Sequence, residues 1–131
     1  MKSIRMLSFT SLAGIALFGL ATQGLQAQTK PLAYWISEIE VIDAAVYQTF
    51  VDRNTPIVQA AGGSYLSRGE KIIAADGTAP KRFVVIQFDS VEKAQAYRDS
   101  AAYKEIIPAR DKGSKFRAFI IEGSVNSVVG K

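Results

Sequence analysis

Two carboxylates stand two residues apart in the segment AYWISEIEV, at Glu38 and Glu40. On an extended chain that spacing puts both on one face, about 7 Å apart. Like charges at such range can raise one pKa and create a general base. A solvated or arginine-paired strand edge has the same spacing and no chemistry. Arg68, just ahead of Gly69, carries a planar fork suited to a carboxylate or phenolate. It is equally suited to a salt bridge with Glu38, Glu40 or Glu70. Arg110, after Pro108, has the same two readings, its second being a cation at a helix C-terminus. Of the five tyrosines, Tyr47 and Tyr97 fall on helical segments and read as packing. Tyr34, Tyr65 and Tyr103 either pack or line a pocket and offer hydroxyls. The candidate set is therefore Glu40 and Glu38 as catalytic base, with Tyr34, Arg68, Tyr65, Tyr103 and Arg110 as ligand-binding residues.

What is missing narrows the chemistry further. The 131 residues contain no His and no Cys. Ser-His-Asp and Cys-His nucleophilic systems are thereby removed, as are zinc sites of the His and Cys kind and haem held by either residue. No glycine-rich phosphate loop occurs, since Gly62-Gly63 reads as a helix stop. No cofactor and no metal is expected. The positive residues are scattered rather than gathered in a stripe, so no nucleic-acid partner is expected.

The elements that must position these residues can be read in order. Residues 33–41 alternate Trp35, Ser37, Ile39 and Val41 against Tyr34, Ile36, Glu38 and Glu40, the period of a strand with two faces. Asp43 stands where a helix N-cap belongs. The following helix should kink or divide near Thr55 because of Pro56, and end at Gly62-Gly63. SYLSRG, residues 64–69, is a second strand, with Gly69 marking a bulge or break. KIIA extends it, and Asp76-Gly77 marks a hairpin turn. KRFVVIQF, residues 81–88, is the most strand-like segment, with Val84, Ile86 and Phe88 facing the helices. Ser90 caps a second helix, VEKAQAYRDS. A short helical piece, AAYKEIIPAR, follows and is limited by Pro108. KFRAFIIEG, residues 115–123, is the fourth strand. The order β-α-β-β-α-β is an α+β, ferredoxin-like arrangement: a four-stranded antiparallel sheet with both helices on one face. The other face would carry Tyr34, Ile36, Phe83 and Val85, too apolar for water unprotected. The economical cover is a second copy stacked sheet to sheet as a two-fold homodimer. The space between the sheets would then be the ligand site.

The blocks AYWISEIEVIDAAVYQTF, AAGGSYLSRG, RFVVIQFDSVEKAQAYRDSAAYKEIIPAR and the closing IIEG occur in an order that resembles the family called domain of unknown function 1330. That family sits in the dimeric α+β barrel group. The resemblance spans residues 33–123 and implies a ferredoxin-like fold, a homodimer and no established activity. Relatives in the wider group include cofactor-free monooxygenases, dehalogenases, isomerases and haem proteins, so the fold does not select a function.

The N-terminus has a separate logic. Lys2 and Arg5 precede an uncharged run, Met6 to Ala21, and a polar stretch leads to Ala27. This is the order of a cleaved signal peptide, and the run is short of the ~20 apolar residues a spanning helix needs. The expected organisation is a signal at 1–27, a flexible lead-in at 28–32, the domain at 33–123 and a tail at 124–131. Loss of Lys2 and Arg5 lowers the formal charge from +4 to about +2. The expected protein is periplasmic or secreted, free of the membrane after cleavage, homodimeric, and a binder of a small, partly apolar molecule. Two alternatives stand beside this. One is a cofactor-free monooxygenase- or isomerase-like enzyme with a carboxylate base. The other is a non-catalytic dimerisation or assembly domain.

Overall fold

A computed structural model describes residues 30–125. The expected signal peptide, residues 28–29 of the lead-in and residues 126–131 of the tail lie outside them. The elements are β1 (Ala33–Val41), α1 (Ala44–Ala60), β2 (Ser64–Gly69), β3 (Arg82–Phe88), α2 (Val91–Asp99), α3 (Ala101–Gly113) and β4 (Ser114–Glu122). The strands form one antiparallel sheet in the order β2-β3-β1-β4. This is the ferredoxin-like arrangement expected, with the second helix split in two at Ser100.

Alternation along β1 decides the inner face. Trp35, Ser37 and Ile39 are buried, while Tyr34, Ile36, Glu38 and Glu40 are half-buried on the other side. From β3, Ile86 and Phe88 join the core, and Tyr47, Phe50 and Val58 reach it from α1. Trp35 meets the rings of Tyr97 and Tyr103 edge-on at 5.2 and 5.7 Å, a favoured aromatic geometry. The caps are as anticipated. The Val46 amide donates to Asp43 Oδ1 at 3.1 Å, and the Lys93 amide to Ser90 Oγ at 3.2 Å. Gly62 closes α1 with φ at +76°, a conformation that only glycine adopts cheaply.

Three local expectations are corrected. First, α1 runs through Pro56 as one helix. The proline withholds its bond from the Asp52 carbonyl, but both residues are exposed, which leaves that carbonyl accessible to solvent. The Thr55 hydroxyl also donates to the Val51 carbonyl at 3.0 Å, bracing the same turn. Second, α3 likewise passes Pro108 and continues to Gly113. Third, KIIA adds nothing to β2. Residues 70–81 form a long connection with its turn at Gly77 (φ +68°).

The irregularity expected at Gly69 lies earlier, as a register shift between Tyr65 and Ser67. Its effect is directional. Tyr65 and Arg68 are three apart and would face opposite sides of a regular strand. The extra residue of the bulge returns Arg68 to the side of Tyr65: Tyr65 pairs with Ile86 and Arg68 with Val84, both on the helix-facing side.

Candidate functional site

The bulge brings Arg68 and Tyr65 to the rim of a cavity between α1 and the inner face of the sheet. The floor is Trp35, Ser37, Ile39, Val84 and Ile86, and the α1 wall is Tyr47, Phe50, Val51 and Asn54. The enclosed part holds about 40 Å³ and opens to solvent at the rim. A water occupies about 30 Å³ of liquid, so the deep part suits one water or a small polar group.

Its charged lining is Arg68 and Arg82 alone, with no carboxylate. Arg82 opens β3 opposite Ile39, so strand alternation turns it inward. It lies over the Tyr47 ring at 5.2 Å and pairs with Glu70 from the β2–β3 connection. Arg68 lies over the Tyr65 ring at 4.0 Å, and its Nη2 donates to Thr55 Oγ1 at 3.2 Å. Among the described residues it is the one arginine without a carboxylate within salt-bridge distance. Deeper in, Asn54 is buried, and its Oδ1 accepts from the Tyr97 hydroxyl at 2.8 Å. Asn54 also lines the cavity. Burial pushes the phenols of Tyr47, Tyr65 and Tyr97 up from their usual range. They stay neutral hydroxyls near neutral pH.

The candidates read from the sequence separate into three places. Arg68 and Tyr65 meet at this cavity. They lie on the helix side rather than between two sheets, because the bulge reverses the alternation. Tyr34, Glu38 and Glu40 lie on the outer face. There Arg117 Nη2 and Nε donate to Glu38 Oε2 at 2.6 and 3.1 Å, and Lys81 Nζ donates to Glu40 Oε1 at 3.2 Å. The Lys81 bond, with the charge of nearby Lys115, holds the Glu40 carboxyl below its ordinary value, the opposite of what a general base needs. Tyr103 and Arg110 stand apart from the cavity, beside α3 and β4. Arg110 Nη1 donates to the Tyr103 hydroxyl at 2.8 Å, and its guanidinium lies 4.6 Å from the Phe116 ring centre. Burial raises the Tyr103 phenol as well.

Sequence reasoning missed Arg82, Asn54 and Thr55. Arg82 was legible as an inward position, since it alternates with Val84 and Ile86. Asn54 was marked only by its type, a polar residue within the apolar stripe of α1.

The outer face is ordered by register. Ile36 sits between Val85 and Phe119, Tyr34 between Gln87 and Ile121, and Glu38 between Phe83 and Arg117. Phe119 and Ile121 remain 44% and 49% exposed, so one end of this face is apolar and the other charged.

Comparison with known proteins agrees with the architecture. The protein RPA0582 of Rhodopseudomonas palustris, described as of unknown function, superposes with a TM-score of 0.61 at 12% identity, covering 72% of this chain and 84% of that one. SnoaB of Streptomyces nogalater, described as a cofactor-independent oxygenase, gives a TM-score of 0.55 at 7% identity, covering 76% of this chain and 99% of that one. At such identities the likeness is one of fold. No curated protein matches the chain. Residues 32–124 match a family model across nearly the whole described domain, and the chain belongs to that family, Domain of unknown function (DUF1330).

Proposed function

We propose that this chain is an exported, homodimeric binding domain that holds a small, partly apolar molecule inside each subunit, in the cavity between α1 and the sheet. The observation that carries the reading is the lining: aromatic and aliphatic walls, two guanidinium groups and no carboxylate. Apolar walls with a few convergent polar groups are the usual make-up of a ligand site. The outer face supports the second part. Its apolar rows are of the kind that pair with a second copy. Export is supported by the order of Lys2, Arg5, the run from Met6 to Ala21 and Ala27. Among the described residues no helix is long and apolar enough to cross a membrane.

SnoaB favours a second reading, cofactor-free oxygenation. Such chemistry takes a proton from its substrate. Here the cavity is lined by no carboxylate, its titratable groups being neutral phenols and guanidinium cations, and Glu38 and Glu40 lie across the sheet. The lining therefore favours binding over proton abstraction. An assembly domain with no ligand is the third reading, in which Arg68 serves only to hold Tyr65 and Thr55 together.

Native mass spectrometry of the protein purified from its own host tests these together. A dimer carrying one small adduct per subunit is expected, and N-terminal sequencing should start near Gln28. A bare dimer that takes up no small molecule favours the assembly reading. A monomer overturns the role given to the outer face.

A further inference from the structure

The sheet ends on two unlike edges. β2, the outer strand on one side, has six residues, a register shift between Tyr65 and Ser67, and Gly69 at its end. Shortness and a bulge are common devices that keep an edge from pairing again. β4, the outer strand on the other side, has nine residues, no proline, and an unbroken register with β1 from Ser114 to Glu122. Among the described residues no strand pairs with its far side. Beside that open edge, between β4 and the helices α2 and α3, runs a groove of about 400 Å³. Its apolar lining includes Trp35, Ile107, Phe116 and Ala118. Its charged lining is Arg98, Lys104 and Arg110 against Asp99 alone. Arg98 and Arg110 each bond the aspartate that follows in sequence. Lys104 on the helix side, and Lys115 opposite Glu40 on the outer side, have no carboxylate within salt-bridge distance among the described residues.

We propose that the open edge of β4 receives an extended, acidic segment of another protein as a fifth strand, its inward side chains apolar and seated in the groove. Main-chain hydrogen bonds to the edge supply affinity, and the groove selects alternate side chains. An added strand continues the alternation of the sheet. Its inward positions fall beside Phe116 and Ala118, and its outward positions beside Lys115 and Arg117. Carboxylates in the outward row and at the ends of the segment meet the two lysines. Charge also argues against a second copy of this chain here. A two-fold pairing of β4 with β4 keeps the helices of both copies on one side of the joined sheet and turns their Lys104 rims toward each other. The strand adds at the side of the sheet. The site is therefore separate from the cavity and leaves the outer face open to the proposed dimer.

The test is amide hydrogen exchange, read by mass spectrometry, on the protein purified from its own host. The probes are two capped alternating peptides, Glu-Val-Glu-Val-Glu-Val-Glu and Lys-Val-Lys-Val-Lys-Val-Lys. The glutamate peptide is expected to slow the exposed amides within residues 114–122 by about tenfold at ten times its Kd. It should leave residues 64–69 unchanged and bind more weakly as salt rises. The lysine peptide should do none of this. Lys104→Glu and Lys115→Glu, both at exposed positions, should each weaken the glutamate peptide about threefold, and together about tenfold, with Tm nearly unchanged. Equal slowing by both peptides overturns the acidic partner. Slowing at β2 in place of β4, or none at β4 with millimolar glutamate peptide, overturns the edge as the site. Protection of β4 without peptide that grows with protein concentration assigns the edge to a second copy, and overturns the proposal as well.

Discussion

Gly113 fixes where α1 sits, and with it the α1 wall of the cavity. It ends α3, and its carbonyl accepts from the amides of Ile42 and Asp43 at 2.9 and 3.1 Å. The end of α3 is thus tied to the corner where β1 turns into α1. A methyl added at Gly113 would lie 2.6 Å from the Tyr47 amide nitrogen and 2.9 Å from its Cα. Those are backbone atoms in the first turn of α1, and no rotamer change removes them. Either α1 shifts or the end of α3 unwinds and loses the two corner bonds. Overpacking of this kind costs about 3 kcal/mol, the upper part of the usual range. Alanine returns about 1 kcal/mol through its better helix propensity. The net loss for Gly113→Ala is then about 2 kcal/mol, a fall in Tm of roughly 8–16 °C for a domain of this size. Gly69→Ala is the control. Its nearest neighbour would be Ser67 Oγ at 3.6 Å, and its effect should stay within about 0.5 kcal/mol. Thermal and urea unfolding followed by circular dichroism measure both. A Gly113→Ala protein within about 0.5 kcal/mol of the parent would refute the claim that the α3–α1 contact is rigid.

The remaining expectations concern the buried polar groups and the outer face. Asn54→Ala and Tyr97→Phe should each cost about 1–3 kcal/mol, because each leaves the other's polar atom buried and unpaired. The double variant should cost less than the sum of the two, and a urea double-mutant cycle reads the coupling. Tyr47, Tyr65, Tyr97 and Tyr103 all have phenols raised above the usual 10.0 by burial. A raised native pKa contributes stability that is fully present below the unfolded value and is lost as pH rises. Stability should therefore be flat through neutral pH and fall above about pH 10, with tyrosinate absorbance rising together with loss of fold. Separate, early titration of these rings in a still-folded protein would contradict their burial. On the outer face, Phe119→Glu places a charge in the row of Ile36 and Val85. It should convert the proposed dimer to a monomer in light scattering while leaving Tm, measured at low concentration, nearly unchanged. A persistent dimer would move the interface elsewhere.

Much of this molecule is readable from local pattern. The alternation Trp35, Ser37, Ile39 names the inner face of β1. Asp43 and Ser90 name the helix starts, because a short side-chain oxygen satisfies an amide that the helix leaves open. The element order gives the ferredoxin-like topology, and the ordered blocks give the family. Each of these depends on residues close together in the chain. The direction of Arg68 does not. It follows from a bulge that exists only because β2 must pair with β3, and the bulge moved the candidate site from one side of the sheet to the other. The fate of the two glutamates is likewise non-local. Arg117 reaches Glu38 across 79 residues of sequence and Lys81 reaches Glu40 across 41, so each of the paired carboxylates meets a cation from a distant part of the chain. Arg82, Asn54 and Arg68 converge because β2, β3 and α1 pack around one space. Side-chain type and spacing along a strand determine which face a residue takes while the ladder is regular. Only the packed sheet decides where the ladder slips, and which charges from distant strands arrive opposite one another.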